Sequence, residues 1–163
     1  MTWQNEIARI VRFLINDIDA ASYTDDRLEE TILVAAQLLL NNLDFDTTYI
    51  VDVDSLTLTP DPTASDPKDN FFINTVALKT VCIILGSEAK TLAAQSYRIK
   101  DASSSIDISS AYQSVNQLYK DACDKLDKMI IDYKAGNSIA GGAVLTPYTY
   151  EGMSLGAPIR NYE

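Results

Sequence analysis

Pairs of aspartates are the residues of this chain whose spacing comes closest to a chemical site. Three pairs stand out: Asp44 with Asp46, Asp52 with Asp54, and Asp121 with Asp124. In a strand, alternation would place Asp52 and Asp54 on one face, as a Mg²⁺ or Ca²⁺ site needs. The further oxygen ligands, glycine and terminal glutamate of an EF-hand do not follow. We therefore expect a solvated acidic surface, with no metal and no cofactor.

The chain contains no histidine, which excludes Ser-His-Asp and Cys-His nucleophile arrangements. Cys82 and Cys123 fall on apolar helical patterns without the short spacings of metal sites, so we expect buried free thiols. A carboxylate-metal enzyme built on Asp52 and Asp54 stays open as an alternative, although two aspartates supply few of the oxygens that Ca²⁺ takes. The expectation is a protein without catalytic activity.

The charge balance limits the possible partners. With 23 acidic and 13 basic residues the net charge is -10, which argues against binding to nucleic acid, because such binding depends on Lys and Arg at phosphates. An acidic surface would still let DNA slide past without adhering. The apolar runs are about five residues long against the roughly 20 that a span needs, so we expect no membrane helix. The start, "MTWQNEIARIVRF", lacks the apolar core of a secretory signal.

Apolar spacing predicts four helices. The first covers residues 3–18, with Thr2 as its cap, and the second follows a Thr24 cap. The third begins near Asn70, with a possible kink at Gly86, and the fourth runs from a Ser109 cap to Gly136. The apolar stripes are formed by Trp3, Ile7, Ile10, Val11, Leu14 and Ile18 in the first helix and by Leu28, Ile32, Ala35, Ala36 and Leu39 in the second. Because Leu33, Val34, Leu38 and Leu40 surround the second helix, it should be buried on several sides.

Two segments between the helices have strand character. Residues 44–69 alternate with period two and carry seven aspartates against one lysine, which predicts a short acidic β-hairpin or extended arm. The segment "YRIKDASSSIDIS" predicts two short extended pieces around a serine-rich turn. The fold class expected is therefore mainly α: a four-helix bundle with a short hairpin or arm and a long extended C-terminal tail.

The last 28 residues, 136–163, differ from the rest of the chain. They carry five of the six glycines, two prolines and only three charged side chains, yet apolar residues recur throughout. Soluble proteins avoid exposing such a segment unless it binds something. Fully extended it reaches up to about 90 Å, well beyond a globule of this size. We predict a helical domain over 1–135 and a strap over 136–163 that binds a partner, with binding to its own domain as the alternative.

The order of these features resembles the head-tail connector, or adaptor, proteins of tailed bacteriophages. The resemblance covers approximately residues 20–130. It rests on "YTDDRLEETILVAAQLL", on "LTLTPDPTASDPKDNFFINTVALKTVCIILGSEAKTL" with its "TPDP" loop before an apolar helix, and on "IKDASSSIDISSAYQSVNQLYKDACDKL". The arm and the tail look longer than the minimal family pattern.

The resemblance implies a structural virion protein of the phage neck, made in the host cytoplasm. It implies a ring of identical copies, expected to be twelvefold, which lies between the portal and the next neck or tail protein and extends the DNA channel. DNA would pass through without specific binding. In such proteins the C-terminal segment anchors on the portal, and an arm between helices contacts neighbours or the downstream protein.

Carried onto this chain, the resemblance implies two partner-binding regions. The portal-binding residues would be those of the strap: Val144, Leu145, Tyr148, Tyr150, Met153, Leu155, Ile159 and Tyr162. The residues of the acidic arm would be Tyr49, Asp52, Asp54, Leu56 and Leu58. The alternative function is a small helical scaffold or regulatory module whose C-terminal tail binds one partner protein.

Overall fold

A computed structural model describes residues 2–95, 100–101, 104–105 and 109–137, and the side chains of 2–94 and 111–136. Over these residues the protein is mainly helical, with four helices and small two-stranded antiparallel sheets. The helices are α1 (Trp3–Ile15), α2 (Asp25–Leu40), α3 (Asn70–Gln95) and α4 (Ser109–Asn137). The strands are β1 (Ile50–Asp52), β2 (Thr57–Thr59), β3 (Lys100–Asp101) and β4 (Ser104–Ser105). The four predicted helices are thus confirmed.

The core lies where α1, α2 and α3 pack against one another. The predicted stripe of α2 is buried in full, from Leu28 to Leu39. In α1, by contrast, Trp3, Ile7 and Val11 are buried, whereas Leu14 is exposed. Val34 and Leu38 of α2 are exposed as well, so the expectation that α2 is buried on several sides holds only in part. Neighbours cover one face of this helix and leave the other to solvent.

The end of α1 differs from the prediction that placed Ile18 on its apolar stripe. Asn16 takes the left-handed conformation with φ 59° and ends the helix after Ile15. Asparagine tolerates this conformation better than most residues, so it serves as a helix stop. Ile18 therefore lies in the loop that follows and is exposed.

A buried arginine ties α1 to the start of α2. Arg12 Nη1 donates to the Asp17 carboxylate at 2.9 Å and to the Asp17 carbonyl at 3.3 Å. Its Nη2 donates to Asp25 Oδ1 at 2.6 Å and to the Tyr23 carbonyl at 3.0 Å. Asp17 also accepts from the backbone N–H groups of Ser22 and Tyr23. Because both charges are bonded on several sides, this cluster fixes the loop between the two helices.

Asp17 should make stability depend on acid pH. The hydrogen bond from Ser22 N–H, followed by that from Tyr23 N–H and the charge of Arg12, lowers its pKa below 3.8, against an opposing effect of desolvation. A carboxyl whose folded pKa is depressed contributes stability above its unfolded pKa, and this contribution is lost as pH falls. We expect the Tm difference between wild type and Asp17→Asn to shrink below about pH 4. Asp19→Asn, in the same loop, should follow wild type, and a constant Tm gap for Asp17→Asn from pH 7 to pH 2 would contradict this role.

The predicted strands form in both segments. β1 pairs antiparallel with β2 in the register Ile50↔Thr59, Val51↔Leu58 and Asp52↔Thr57, and β1 packs against α2. The hairpin alternative is therefore the observed one. β3 pairs with β4 through Lys100↔Ser105 and Asp101↔Ser104, so the two predicted extended pieces form. Ser104 and Ser105, predicted to lie in the serine-rich turn, belong to β4.

The third helix is the central element of the core. Two aspartates that precede it hold its N-terminus and the start of α1 in place. Asp69 Oδ1 accepts from Phe72 N–H at 2.9 Å and so caps the start of α3. Asp61 Oδ2 accepts from Trp3 N–H at 3.2 Å and binds the start of α1 to the same loop. The helix runs past Gly86 as one segment from Asn70 to Gln95, so the kink considered at Gly86 does not interrupt it.

By length and composition, Asn70–Ala94 would be long enough and apolar enough to cross a membrane. In the folded chain 56% of its most apolar 18-residue segment is buried, and the helix packs against both α1 and α2. Thr75 and Thr80 are buried in it and bond back to carbonyls of the preceding turn. These are the features of a core helix.

The fourth helix begins at Ser109 and ends at Asn137, close to the predicted bounds. The chain divides into two compact units, Met1–Asp127 and Lys128–Glu163, and the division falls within this helix. In the first unit, Ala122 and Leu126 of α4 are buried. The predicted boundary between residues 135 and 136 stays a prediction.

Candidate partner-binding surfaces

The strap residues proposed to bind the portal lie outside the described part of the chain. They are Val144, Leu145, Tyr148, Tyr150, Met153, Leu155, Ile159 and Tyr162. Their assignment as portal-binding residues stays a prediction from the sequence.

Two of the arm residues lie in the core of the first unit. Tyr49 is buried and stacks on Phe72 with ring centroids 3.9 Å apart. Its hydroxyl donates to Asp69 Oδ2 at 2.7 Å, so it connects the arm to the cap of α3. Burial first, and then the bond to Asp69, raises the Tyr49 pKa above its ordinary value. Leu58 of β2 is also buried. In this conformation, both side chains attach the hairpin to its own domain.

The turn of the hairpin carries the remaining arm residues. Asp52 Oδ1 accepts from Asp54 N–H at 3.0 Å and from Ser55 N–H at 3.2 Å, and bonds from Ser55 are the main reason why the Asp52 pKa is lowered. Leu56 has φ 52°, a conformation that few side-chain-bearing residues adopt, and it is half-buried. Asp54 is exposed. Asp52 therefore shapes the turn, while Asp54 presents a carboxylate to solvent.

Large apolar side chains are exposed at the end of α1. Phe13 is 63% exposed, Leu14 50% and Ile18 56%. Phe13 and Ile18 line a cavity of about 460 Å³ between α1 and the start of α2, together with Arg9 and Glu29. Burial, and then Asp26 and Asp25, raise the Glu29 pKa. Phe13 is a large aromatic residue that lies off the stripe of Trp3, Ile7 and Val11, so its exposure could have been predicted from the sequence.

A second exposed apolar surface lies on α2 and the hairpin. Val34 and Leu38 are one turn apart on α2, and β1, which packs against α2, exposes Ile50 at 69%. Sequence patterning assigned no surface role to these three residues. Strand alternation places Ile50 on the face opposite to the half-buried Val51 and its buried partner Leu58, since neighbouring strand residues point to opposite faces.

A groove of about 510 Å³ runs between α3 and α4. Gly86 allows the Tyr119 ring to approach closely, because a Cβ at Gly86 would lie 3.0 Å from that ring. Cys82 and Cys123 also line the groove, and both are free thiols, the first buried and the second half-buried. Desolvation, followed by a hydrogen bond with Cys123, raises the Cys82 pKa, so this thiol is protonated and inert at neutral pH.

The acidic residues form no candidate metal centre where they can be examined. Among the side chains of 2–94 and 111–136, no group of three or more His, Cys, Asp or Glu residues is placed to hold a metal ion. Within this part of the chain the notable features are the exposed apolar side chains and the groove between α3 and α4.

Comparisons with family models, with curated proteins and with solved structures found no match to this chain.

Proposed function

We propose that this protein is a non-enzymatic structural component of a phage neck, which forms a ring adaptor between the portal and the tail and extends the DNA channel. In this proposal the helices form a four-helix bundle, and the arm and the strap over 136–163 bind neighbouring proteins. The resemblance of residues 20–130 to head-tail connector proteins supports it.

The observation that carries the proposal is the presence of two exposed apolar surfaces on different elements of one small unit. One consists of Phe13, Leu14 and Ile18, and the other includes Val34 and Leu38 of α2, against which β1 with the exposed Ile50 packs. Exposed apolar clusters mark association sites on soluble proteins. A subunit in a ring contacts one neighbour through one face and the next neighbour through a different face. Two unlike surfaces on the same unit meet that requirement.

The charge of the chain suits a conduit for DNA. A net charge of -10 would repel phosphates, so a channel lined by these subunits would let the genome pass without retaining it. The virion neck is the location we propose, with synthesis in the host cytoplasm. Its partners would be the portal, neighbouring copies and the downstream neck or tail protein.

The proposal is tested by recovering the tagged protein from its native lysate and examining bound material by electron microscopy and mass spectrometry. We expect capsids or portal rings that carry the tag at a single vertex. A tagged variant in which Phe13 and Ile18 are both replaced by serine should fold as wild type does and be recovered without assembled rings. Recovery of one soluble cellular protein without particles would contradict the adaptor function and favour the scaffold or regulatory module.

A further inference from the structure

We propose that the groove between α3 and α4 binds the acidic hairpin of a second copy of this chain, so that the tip of β1–β2 from one subunit lies against Lys79 and Lys90 of the next. The inference rests on the proposed ring-forming function, because it names one contact between neighbouring subunits in addition to the exposed apolar surfaces.

The charged side chains that line the groove are opposite in sign to the net charge of the chain, while the charge of Asp127 also acts on Cys82 and Tyr119 in the lining of the groove. Its two charged lining residues are Lys79 and Lys90, and no Asp or Glu lines it, although acidic residues outnumber basic ones by 23 to 13 overall. Neither lysine forms an ion pair with any side chain in 2–94 or 111–136. Two ammonium groups at one groove favour an anionic occupant.

The rest of the lining suits a peptide better than a small anion. Tyr112, Asn116 and Tyr119 bring hydroxyl and amide groups, and Ile83 and Ala89 bring apolar surface. Hydrogen-bonding groups beside apolar side chains are typical of grooves that bind a peptide segment. The volume of about 510 Å³ falls in the range of ligand-binding pockets.

The hairpin has the complementary chemistry. Residues 44–69 carry seven aspartates against one lysine. Asp54 in the turn is exposed, and Ile50 at the other end of β1 is 69% exposed, so the hairpin offers a carboxylate at its tip and an apolar side chain at its base. The bonds from Asp54 N–H and Ser55 N–H to Asp52 hold the turn in shape before any contact forms. A preorganised segment loses little conformational entropy when it binds.

The groove and the hairpin are different parts of the same unit, so a contact between two copies is heterologous. Such a contact leaves a free hairpin at one end and a free groove at the other, and it repeats until a ring closes. Because the interaction is between opposite charges that are partly exposed, it should weaken as salt screens them.

A charge exchange tests the pairing directly. Sedimentation velocity of the full chain, from about 1 µM to 1 mM at low salt, would measure self-association of wild type, Lys90→Glu, Asp54→Lys and the combined variant. Each single variant places like charges together, so we expect self-association at least about tenfold weaker. The combined variant restores opposite charges and should return to within about threefold of wild type. Circular dichroism would show that all four proteins are equally folded.

Two matched controls separate this contact from general charge effects. Lys125→Glu changes an exposed lysine of α4 that does not line the groove, and Asp19→Lys changes an exposed aspartate in the α1–α2 loop. Both should associate as wild type does, after allowance for net charge. Single variants that match these controls would overturn the proposal, as would a combined variant without recovery.

The remaining outcomes are also decisive. A wild-type chain that stays monomeric up to about 1 mM would overturn the proposal that a second copy is the occupant. If Lys90→Glu then still lost the capsids recovered by the wild-type protein, the groove would hold an acidic segment of another neck protein. Recovery of capsids by all variants would support the adaptor function and reject the groove contact. The two proposals can therefore be rejected independently of each other.

Discussion

Removing residues 136–163 is expected to abolish recovery of capsids or portal rings while the helical unit stays folded. Every buried apolar residue among the described side chains lies between Trp3 and Leu126, so the deletion takes nothing from that core. The strap, in contrast, holds the apolar residues proposed to bind the portal. We expect far-ultraviolet circular dichroism and Tm close to wild type, and loss of at least about 90% of the particles recovered, as for removal of a main binding segment.

A full-length variant distinguishes the effect of losing the strap's apolar side chains from the effect of shortening the chain. Serine at eight of the strap's apolar and aromatic positions keeps its length, glycines and prolines. Those positions are Val144, Leu145, Tyr148, Tyr150, Met153, Leu155, Ile159 and Tyr162. We expect it to fail as the deletion does. A truncated protein that still binds portal-bearing particles as wild type does would show that the strap is not the anchor.

Phe72→Ala should cause the largest loss of stability from a single substitution. The side chain is fully buried, and it contacts Tyr49 at 3.9 Å and Phe45 at 5.0 Å between ring centroids. Truncation removes both aromatic contacts and leaves a cavity next to the α3 cap. We expect the free energy of unfolding, measured in urea, to fall by about 3–5 kcal/mol. That is a large part of the total stability of an ordinary domain.

The chain offers the same chemical change at an exposed position. Phe13→Ala alters a side chain that is 63% exposed, so the free energy of unfolding should change by less than about 0.5 kcal/mol. If Phe72→Ala lowered the free energy of unfolding by less than about 1 kcal/mol, the aromatic cluster would have relaxed around the cavity. This result would contradict the role of Phe72 in holding the hairpin to the helices.

Much of the fold could be predicted because local patterns and burial agree. Leu28, Ile32 and Leu39 recur at helical spacing and are buried, and the Thr24 side chain caps α2 by accepting from Arg27 N–H. The alternation around Val51 and Leu58 predicted strands, and these two residues face each other in the hairpin. In each case one periodicity was sufficient to assign the element.

The surfaces could not be predicted in the same way. Val34 and Leu38 are as apolar as Leu33, and only the arrangement of neighbouring elements decides which of them is covered. Helix α1 ends at Ile15 because Asn16 takes the left-handed conformation, which asparagine tolerates but does not require. Ile18 therefore lies in a loop. The groove between α3 and α4 brings Lys79 and Tyr119 together across 40 positions, a juxtaposition that no local pattern contains.

The same limit applies to the acidic arm. Tyr49 and Asp54 look alike in sequence as members of a polar, alternating segment. In the structure Tyr49 lies in the core and stacks on Phe72, whereas Asp54 is exposed to solvent. That difference depends on Asp69, which caps the next helix, and on Phe72, which belongs to it.

The packing of α1, α2 and α3 against one another has a consequence for how the protein is made. These helices and the first hairpin occupy residues 3–95, so the chain contains most of its core well before α4 has been translated. Domains generally fold from the N-terminal side as they leave the ribosome. The later part of the chain supplies one wall of the lysine-bearing groove and the whole of the strap. Nascent subunits would therefore be folded before they acquire the lysine-bearing groove and the strap, so the contacts that depend on these two features can form only once synthesis nears completion.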